Sequence, residues 1–227
     1  MSTNNKPKIT GTESIKTSTS KKFEDIYSKP NNAPWTYSTA PKELEELINS
    51  GVIPKNSRIL EVGCGEGYQS IYLAQQGNTV VGIDSSKNAI KYAKDNVKKI
   101  KKTLDLEFKL KTCKDLEKLN EKFDFIFDWR MLHEITDEQD RVDYFKCINN
   151  LLTDKGKYLS VAFSGDTEFM GSGTIRKSPV GIEIYFETLK SGLETLGNYF
   201  NVLENRHISV PQKPNLIISA NYFLMEK

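Results

Sequence analysis

A chain of 227 residues is the size of one domain, or of one domain with a tail. Its 32 basic and 30 acidic residues leave a formal charge of +2, which argues against a dedicated duplex-DNA binder, since neutralising many phosphates needs a basic excess. No apolar run approaches the roughly 18 residues of a membrane span, no secretory leader is expected, and Cys64, Cys113 and Cys147 lack the spacing of a disulfide framework or zinc site. The expectation is a cytoplasmic globular protein.

Residues 1–22 are rich in Ser, Thr, Asn and Lys, with Ile9 and Ile15 as their sizeable apolar side chains. Such a segment buries too little surface to offset its ordering entropy, so disorder is expected, with closure over a bound ligand as the alternative. From Phe23 to Lys227 a single domain is expected. Pro41 and Gly51 bracket a helix with Leu44, Leu47 and Ile48 on one face. Residues 57–62 then read as a buried strand, 68–76 as a helix stopped by Gly77, and 79–84 as a second strand. A helix with Ala89, Ile90, Ala93 and Val97 inward follows. Strands are expected at 106–110, 123–128 and 157–163, with an amphipathic helix at 137–152 between the last two. Residues 164–181 hold four glycines and read as a mobile loop, before a helix within 186–200 and strands at 200–210 and 216–226. Strands alternating with helices at this spacing imply an α/β fold, a doubly wound and mostly parallel sheet of Rossmann-like type.

The sharpest local feature is Glu61-Val-Gly63-Cys64-Gly65-Glu-Gly67, directly after a strand and before a helix. Glycines there allow a tight turn and close approach of a ligand to the backbone. Asp84 ends the next strand, where a carboxylate accepts hydrogen bonds from ribose hydroxyls. A dinucleotide fingerprint wants its third glycine at position 68, which is Tyr, and Glu61 would oppose a pyrophosphate. An acid ahead of the turn suits instead a ligand that carries an ammonium group and a sulfonium.

EVGCGEG followed by VVGID resembles the first two motifs of the class I S-adenosylmethionine-dependent methyltransferases. Across residues 27–226, and notably in PWTYSTAPKELEELINSG and FDFIFDWRMLHEI, the chain is similar to the thiopurine, thiol/halide and tellurite-resistance group. The resemblance implies a seven-stranded sheet whose last strand runs antiparallel beside the fifth. It implies S-adenosylmethionine as cofactor, S-adenosylhomocysteine as product, and no metal. Gly63, Cys64, Gly65 and Gly67 would pass under the methionine moiety and Glu61 would approach its amino group. Asp84 and Ser85 would take the ribose, and Asp115-Leu116, or in another register Thr112-Cys113, would flank adenine. Asp128 and Trp129 would border the methionine and the acceptor, with Tyr27, Trp35 and Tyr37 forming a lid.

Methyl transfer from a sulfonium is an in-line displacement that needs a base only when the acceptor must lose a proton. The expected acceptor is a small molecule, preferably a thiol, thiopurine, halide or metalloid oxyanion; neither a nucleic acid nor a membrane is an expected partner. A rival is a small-molecule O- or N-methyltransferase with His133 as base, although a packing histidine fits that position too. A second rival is a catalytically silent nucleoside-binding protein that acts through a partner, and a third is an RNA methyltransferase.

Overall fold

A computed structural model of the chain describes residues 21–227. The expectation for the tail therefore falls, over residues 1–20, outside the described residues, whereas residues 21–26 are helical, so Lys21 and Lys22 belong to this helix rather than to the tail. The chain then runs through α1 (Lys42–Asn49), β1 (Arg58–Val62), α2 (Tyr68–Gln75), β2 (Thr79–Asp84), α3 (Lys87–Lys98) and β3 (Leu106–Leu110). A short 3-10 turn, Cys113–Lys118, leads to β4 (Phe123–Trp129), a second turn at Leu132–Glu134, α4 (Glu138–Leu151) and β5 (Leu152–Phe163). The last third comprises β6 (Ile175–Lys177), β7 (Glu183–Tyr185), α5 (Leu189–Leu196), β8 (Asn201–Gln212) and β9 (Leu216–Glu226).

Seven strands form one sheet in the order β3-β2-β1-β4-β5-β9-β8. β1 to β5 pair in parallel, and β9 lies antiparallel to both β5 and β8. The chain winds outward from β1 through β2 to β3, then returns to place β4 on the other side of β1. The order therefore reverses between β1 and β4, and a doubly wound sheet binds ligands outside the strand ends at such a point.

Both faces of the sheet are covered, and strand alternation divides the core accordingly. Ile59, Phe125, Phe127, Leu159 and Val161 pack with Leu44, Leu47 and Leu73 on one side. Leu60, Val62, Ile126 and Tyr158 pack with Tyr144, Phe145 and Ile148 of α4 on the other. Each such side chain contributes about 1.5–3 kcal/mol by burial.

The expected mobile loop at 164–181 is partly a β-hairpin, with Ile175↔Tyr185, Arg176↔Ile184 and Lys177↔Glu183 in antiparallel register. Arg176 holds it: the guanidinium donates to the carbonyls of Gly165, Phe169 and Gly173 at 3.2, 2.9 and 2.9 Å and lies 4.2 Å from the Phe186 ring centroid. Among the described residues no helix is long and apolar enough to cross a membrane.

Candidate active site

The turn after β1 is built around backbone that favours glycine. Gly63 has φ +78° and Gly65 φ +52°. A Cβ on Gly63 would fall 2.6 Å from the Met131 side chain, and one on Gly65 would fall 2.9 Å from the Tyr27 hydroxyl. Gly67 closes the turn, donating from its N–H to Cys64 O at 2.8 Å, and α2 begins at the next residue. The Cys64 thiol is buried and pushed up by that burial, which suits a filler of the turn.

Asp84 ties this turn to β2. Its Oδ2 accepts from the Gly65 N–H and its Oδ1 from the Ser86 N–H, both at 2.8 Å. Burial raises it from the usual aspartate range, against the backbone hydrogen bonds that lower it. Ser85, beside it, is exposed. Glu61 is 2% exposed and accepts a hydrogen bond from the Ser70 hydroxyl. Burial pushes Glu61 up to about 8, so its carboxyl carries a proton at neutral pH in the free protein.

The residues after β3 form a turn of their own. Asp115 caps its own 3-10 turn, accepting from Thr112 N–H at 3.0 Å and from the Thr112 hydroxyl at 2.8 Å, while its other oxygen meets Lys118 at 2.8 Å. These bonds hold Asp115 far below the usual range. Leu116 is fully buried in the α4-side core and Cys113 is partly buried against it. Cys113, Asp115 and Leu116, like Asp84 and Ser85, lie outside the lining of the crevice at the turn.

Asp128 and Trp129 end β4 on opposite faces. The expectation that Asp128 borders the crevice is corrected: its carboxylate points into the α4-side core and is 0% exposed. It accepts from the Tyr158 hydroxyl, from Tyr144 at 3.0 Å and from Ser160 at 3.0 Å. Burial raises Asp128 to about 6 despite these three donors. Trp129, one residue on, turns to the other face and lines the crevice.

His133 takes the packing role and not that of the base in the rival reading. Its ring is 3% exposed and stacks on Phe163 with centroids 4.1 Å apart. Nδ1 accepts the Phe163 N–H at 3.3 Å, and Nε2 lies 3.5 Å from Glu134 Oε1. Burial lowers its pKa, so the imidazole is neutral at pH 7, with its acceptor nitrogen already occupied.

Arg130 was not anticipated, although it stands at the carboxyl end of β4 beside the switch point. Its φ is +68°, a left-handed conformation that is rare for a residue with a long side chain. The guanidinium lies 5.0 Å from the Phe163 ring centroid, donates to Pro211 O at 3.1 Å and bonds Gln212 Oε1. Its Nε is buried and has no partner, an arrangement that costs about 1–3 kcal/mol. Burial lowers Arg130 to about 10, which leaves it cationic at neutral pH.

The N-terminal segment closes the crevice. Tyr27 is 4% exposed, its hydroxyl accepts from Trp35 Nε1 at 2.8 Å, and its pKa is raised by burial and by nearby Asp84. Trp35 and Tyr37 line the crevice with it. Glu24 accepts from the N–H groups of Lys87 and Asn88 at the start of α3, at 2.6 and 3.3 Å. Asn31 N–H donates to Glu66 Oε1 at 2.8 Å, while Glu66 Oε2 is buried without a partner. From the other end of the chain, Lys213 Nζ donates to Asn31 O at 3.2 Å and lies 5.6 Å from the Tyr37 ring centroid. Among the described residues no three His, Cys, Asp or Glu side chains gather as a metal site. A separate concavity lined by Glu117, Leu119, Lys122, Cys147 and Leu151 shares no residue with the crevice.

Residues 59–156 match a family model described as a methyltransferase domain. The chain is 29% identical over 139 residues to a ubiquinone biosynthesis O-methyltransferase of Brucella ovis, covering 61% of this chain and 48% of that protein. It is 35% identical over 71 residues to a 2-heptyl-1-hydroxyquinolin-4(1H)-one methyltransferase of Mycobacteroides abscessus, covering 31% and 29% respectively. The chain thus spans about half the length, or less, of these curated relatives. Among solved structures it is similar to the 1,6-didemethyltoxoflavin-N1-methyltransferase of Burkholderia thailandensis with bound 1,6-didemethyltoxoflavin and S-adenosylhomocysteine. That match has TM-score 0.73 and 16% identity, over 100% of this chain and 93% of that one. TehB from Haemophilus influenzae matches with TM-score 0.62 and 19% identity, over 90% and 66%. The fold is therefore the α/β Rossmann-like methyltransferase fold.

Proposed function

We propose that this chain, which carries a methyltransferase domain over residues 59–156, transfers a methyl group from S-adenosylmethionine to a small-molecule acceptor. The observation that carries the reading is the Glu61–Gly67 turn at the switch point, with Asp84 hydrogen-bonded to Gly65 at 2.8 Å. After its two backbone partners, the partly buried Asp84 carboxylate keeps acceptor capacity for a pair of ribose hydroxyls. Glu61 and the unpartnered Glu66 Oε2 flank the turn with acid, which fits an ammonium group and disfavours a pyrophosphate. When bound, the cofactor supplies an electrophilic methyl group on a sulfonium. The chain's own contribution is to hold the two reactants in line and exclude water, through Tyr27, Trp35 and Tyr37 on one side and Trp129 on the other.

The resemblance of the motifs favours soft acceptors: thiol, thiopurine, halide or metalloid oxyanion. A hydroxyl or ring-nitrogen acceptor is a second reading, favoured by relatives named for O-methylation and for a hydroxyquinolinone. His133 serves neither as base in this arrangement, because its acceptor nitrogen takes the Phe163 N–H. Residues 23–227 are proposed to act as one methyltransferase domain, in the cytoplasm and without nucleic acid.

Calorimetric titration of the full chain, and of the chain lacking residues 1–22, with S-adenosylmethionine and S-adenosylhomocysteine tests the proposal. Micromolar binding by the full chain, followed by turnover on a panel of thiols, halides, phenols and amines, is the expected result. Weaker binding by the shortened chain assigns the tail a part in closure. Binding without turnover on any acceptor favours the silent nucleoside-binding alternative, and no binding at all overturns the reading of the turn.

A further inference from the structure

We propose that Arg130 binds the methyl acceptor, and that it does so because the acceptor enters as an anion: a thiolate, phenolate or comparable singly charged nucleophile. The inference rests on the reading of the crevice as a methyl-transfer site and names the substrate class for it. Three independent observations converge on the residue.

Position comes first. Arg130 lines the crevice together with Trp129, Tyr37 and the Gly63–Gly65 turn, at the carboxyl end of the strand beside the switch point. Its neighbour Met131 packs directly against Gly63. A left-handed backbone at a residue other than glycine is retained where the surroundings hold it, and such positions cluster at ligand sites.

Valence comes second. A guanidinium has five N–H donors, and the protein takes up two of them, through Pro211 O and Gln212 Oε1. Those contacts and the Phe163 ring below fix the plane of the group. Nε remains buried without a partner, so a donor is presented where water does not satisfy it.

Charge comes third. Among the described residues Arg130 forms no ion pair. Glu134, the acid whose charge reaches it, instead places Oε1 3.5 Å from His133 Nε2. The ammonium of Lys213, held against Asn31 and Tyr37, stands at the same mouth, where its charge also reaches Glu66. A fixed, desolvated guanidinium with no carboxylate in ion-pair contact is a site for an anion.

The chemistry agrees with the engagement of His133 in packing. An anionic nucleophile X− forms the X–CH3 bond as the carbon–sulfur bond of the sulfonium breaks and its electron pair returns to sulfur. One negative and one positive charge disappear, and no proton moves, so no base is required. The methylated product is neutral and loses its attraction to Arg130, which favours its release.

The test uses the full chain saturated with S-adenosylhomocysteine, titrated with 4-nitrothiophenolate and with its neutral methyl thioether. The wild type is expected to bind the anion at least tenfold more tightly than the thioether. Arg130→Met is expected to abolish that preference while leaving affinity for S-adenosylhomocysteine within twofold, and Arg130→Lys to retain part of it. Arg130→Gln, which keeps an amide donor toward Pro211 and Gln212 without the charge, repeats the measurement should the methionine variant not fold. No preference in the wild type, or a preference that survives in Arg130→Met or Arg130→Gln, overturns the proposal. So does a matching loss of S-adenosylhomocysteine affinity, which would move Arg130 to the cofactor side. Failure of the wild type to bind S-adenosylhomocysteine overturns instead the reading of the crevice itself.

Discussion

Asp84 and Glu61 are both carboxylates within reach of one turn, yet their surroundings give them different tasks. Asp84 is partly buried and held by two backbone N–H groups that fix its orientation, so it is preorganised to accept further hydrogen bonds. Asp84→Ala is expected to cost about 1–3 kcal/mol of S-adenosylhomocysteine affinity, measured by calorimetry, since bound hydroxyls lose their acceptor and Gly65 N–H loses its anchor. Unchanged affinity would remove Asp84 from the site. Glu61 is buried and raised to about 8, against 4.5 for the free side chain. Between those values the folded state holds a proton that the unfolded state has released, so stability falls as pH rises from about 4.5 to 8 and levels off above. A bound ammonium group reverses the preference and draws the proton off. Affinity for S-adenosylhomocysteine should therefore rise with pH between 6 and 8, by up to about tenfold per unit, with a binding heat that depends on buffer. Glu61→Gln keeps an acceptor for Ser70. It should flatten that profile and raise stability at pH 8 by on the order of 1–3 kcal/mol in urea unfolding. At this scale the sequence was legible wherever backbone geometry dictates residue type: the glycines and the strand-end acid are local requirements. Asp128 was not, because its partners Tyr144 and Tyr158 arrive from α4 and β5; for His133 the packing reading stood beside the base, and the Phe163 N–H from β5 is what decides between them. Strand alternation alone does place Asp128 and Trp129 on opposite faces, and that signal lies in the sequence.

Between elements, Asp128 is the polar link that joins β4, β5 and α4. A buried carboxylate is tolerated only when donors satisfy it, and three hydroxyls do so here. Tyr158→Phe removes one donor and should cost about 1.5–3 kcal/mol at pH 8, where Asp128 is ionised. The cost should shrink at pH 5, below the value of about 6 for the folded carboxyl, because the protonated group depends less on donors. Denaturant titrations at the two pH values check this; an equal cost at both would mean that Asp128 does not change charge between them. Strands and helices with strong periodicity were readable in chain order, and β2 and β3 occupy the residues expected of them. The β6–β7 hairpin was not readable: each strand has three residues, too few for alternation to register, and what holds them is Arg176 reaching carbonyls up to 11 positions away.

At the scale of the whole molecule, the crevice depends on both ends of the chain meeting over the switch point. Lys213 N–H donates to Pro34 O at 2.9 Å, and Glu24 sits at the amino end of α3, where an acid meets unpaired N–H groups and the positive end of the helix dipole. No local pattern announces either contact, since the partners lie 179 and about 60 residues apart, and only the completed sheet brings them together. The consequence is that closure of residues 21–37 over the crevice should be coupled to ligand binding by mass action. Glu24→Ala removes the anchor at α3 without touching the Glu61–Gly67 turn. It should cost about 1 kcal/mol of stability, in the range of a lost helix cap, and weaken S-adenosylhomocysteine several-fold. Hydrogen exchange supplies the direct readout. In the free variant, amides of residues 21–37 should exchange faster than in the wild type, while those of β1 and β4 stay protected, and saturating S-adenosylhomocysteine should restore slow exchange in the segment. If exchange in residues 21–37 is the same with and without the ligand, the segment is a fixed wall of the crevice and Glu24 is no more than a helix cap.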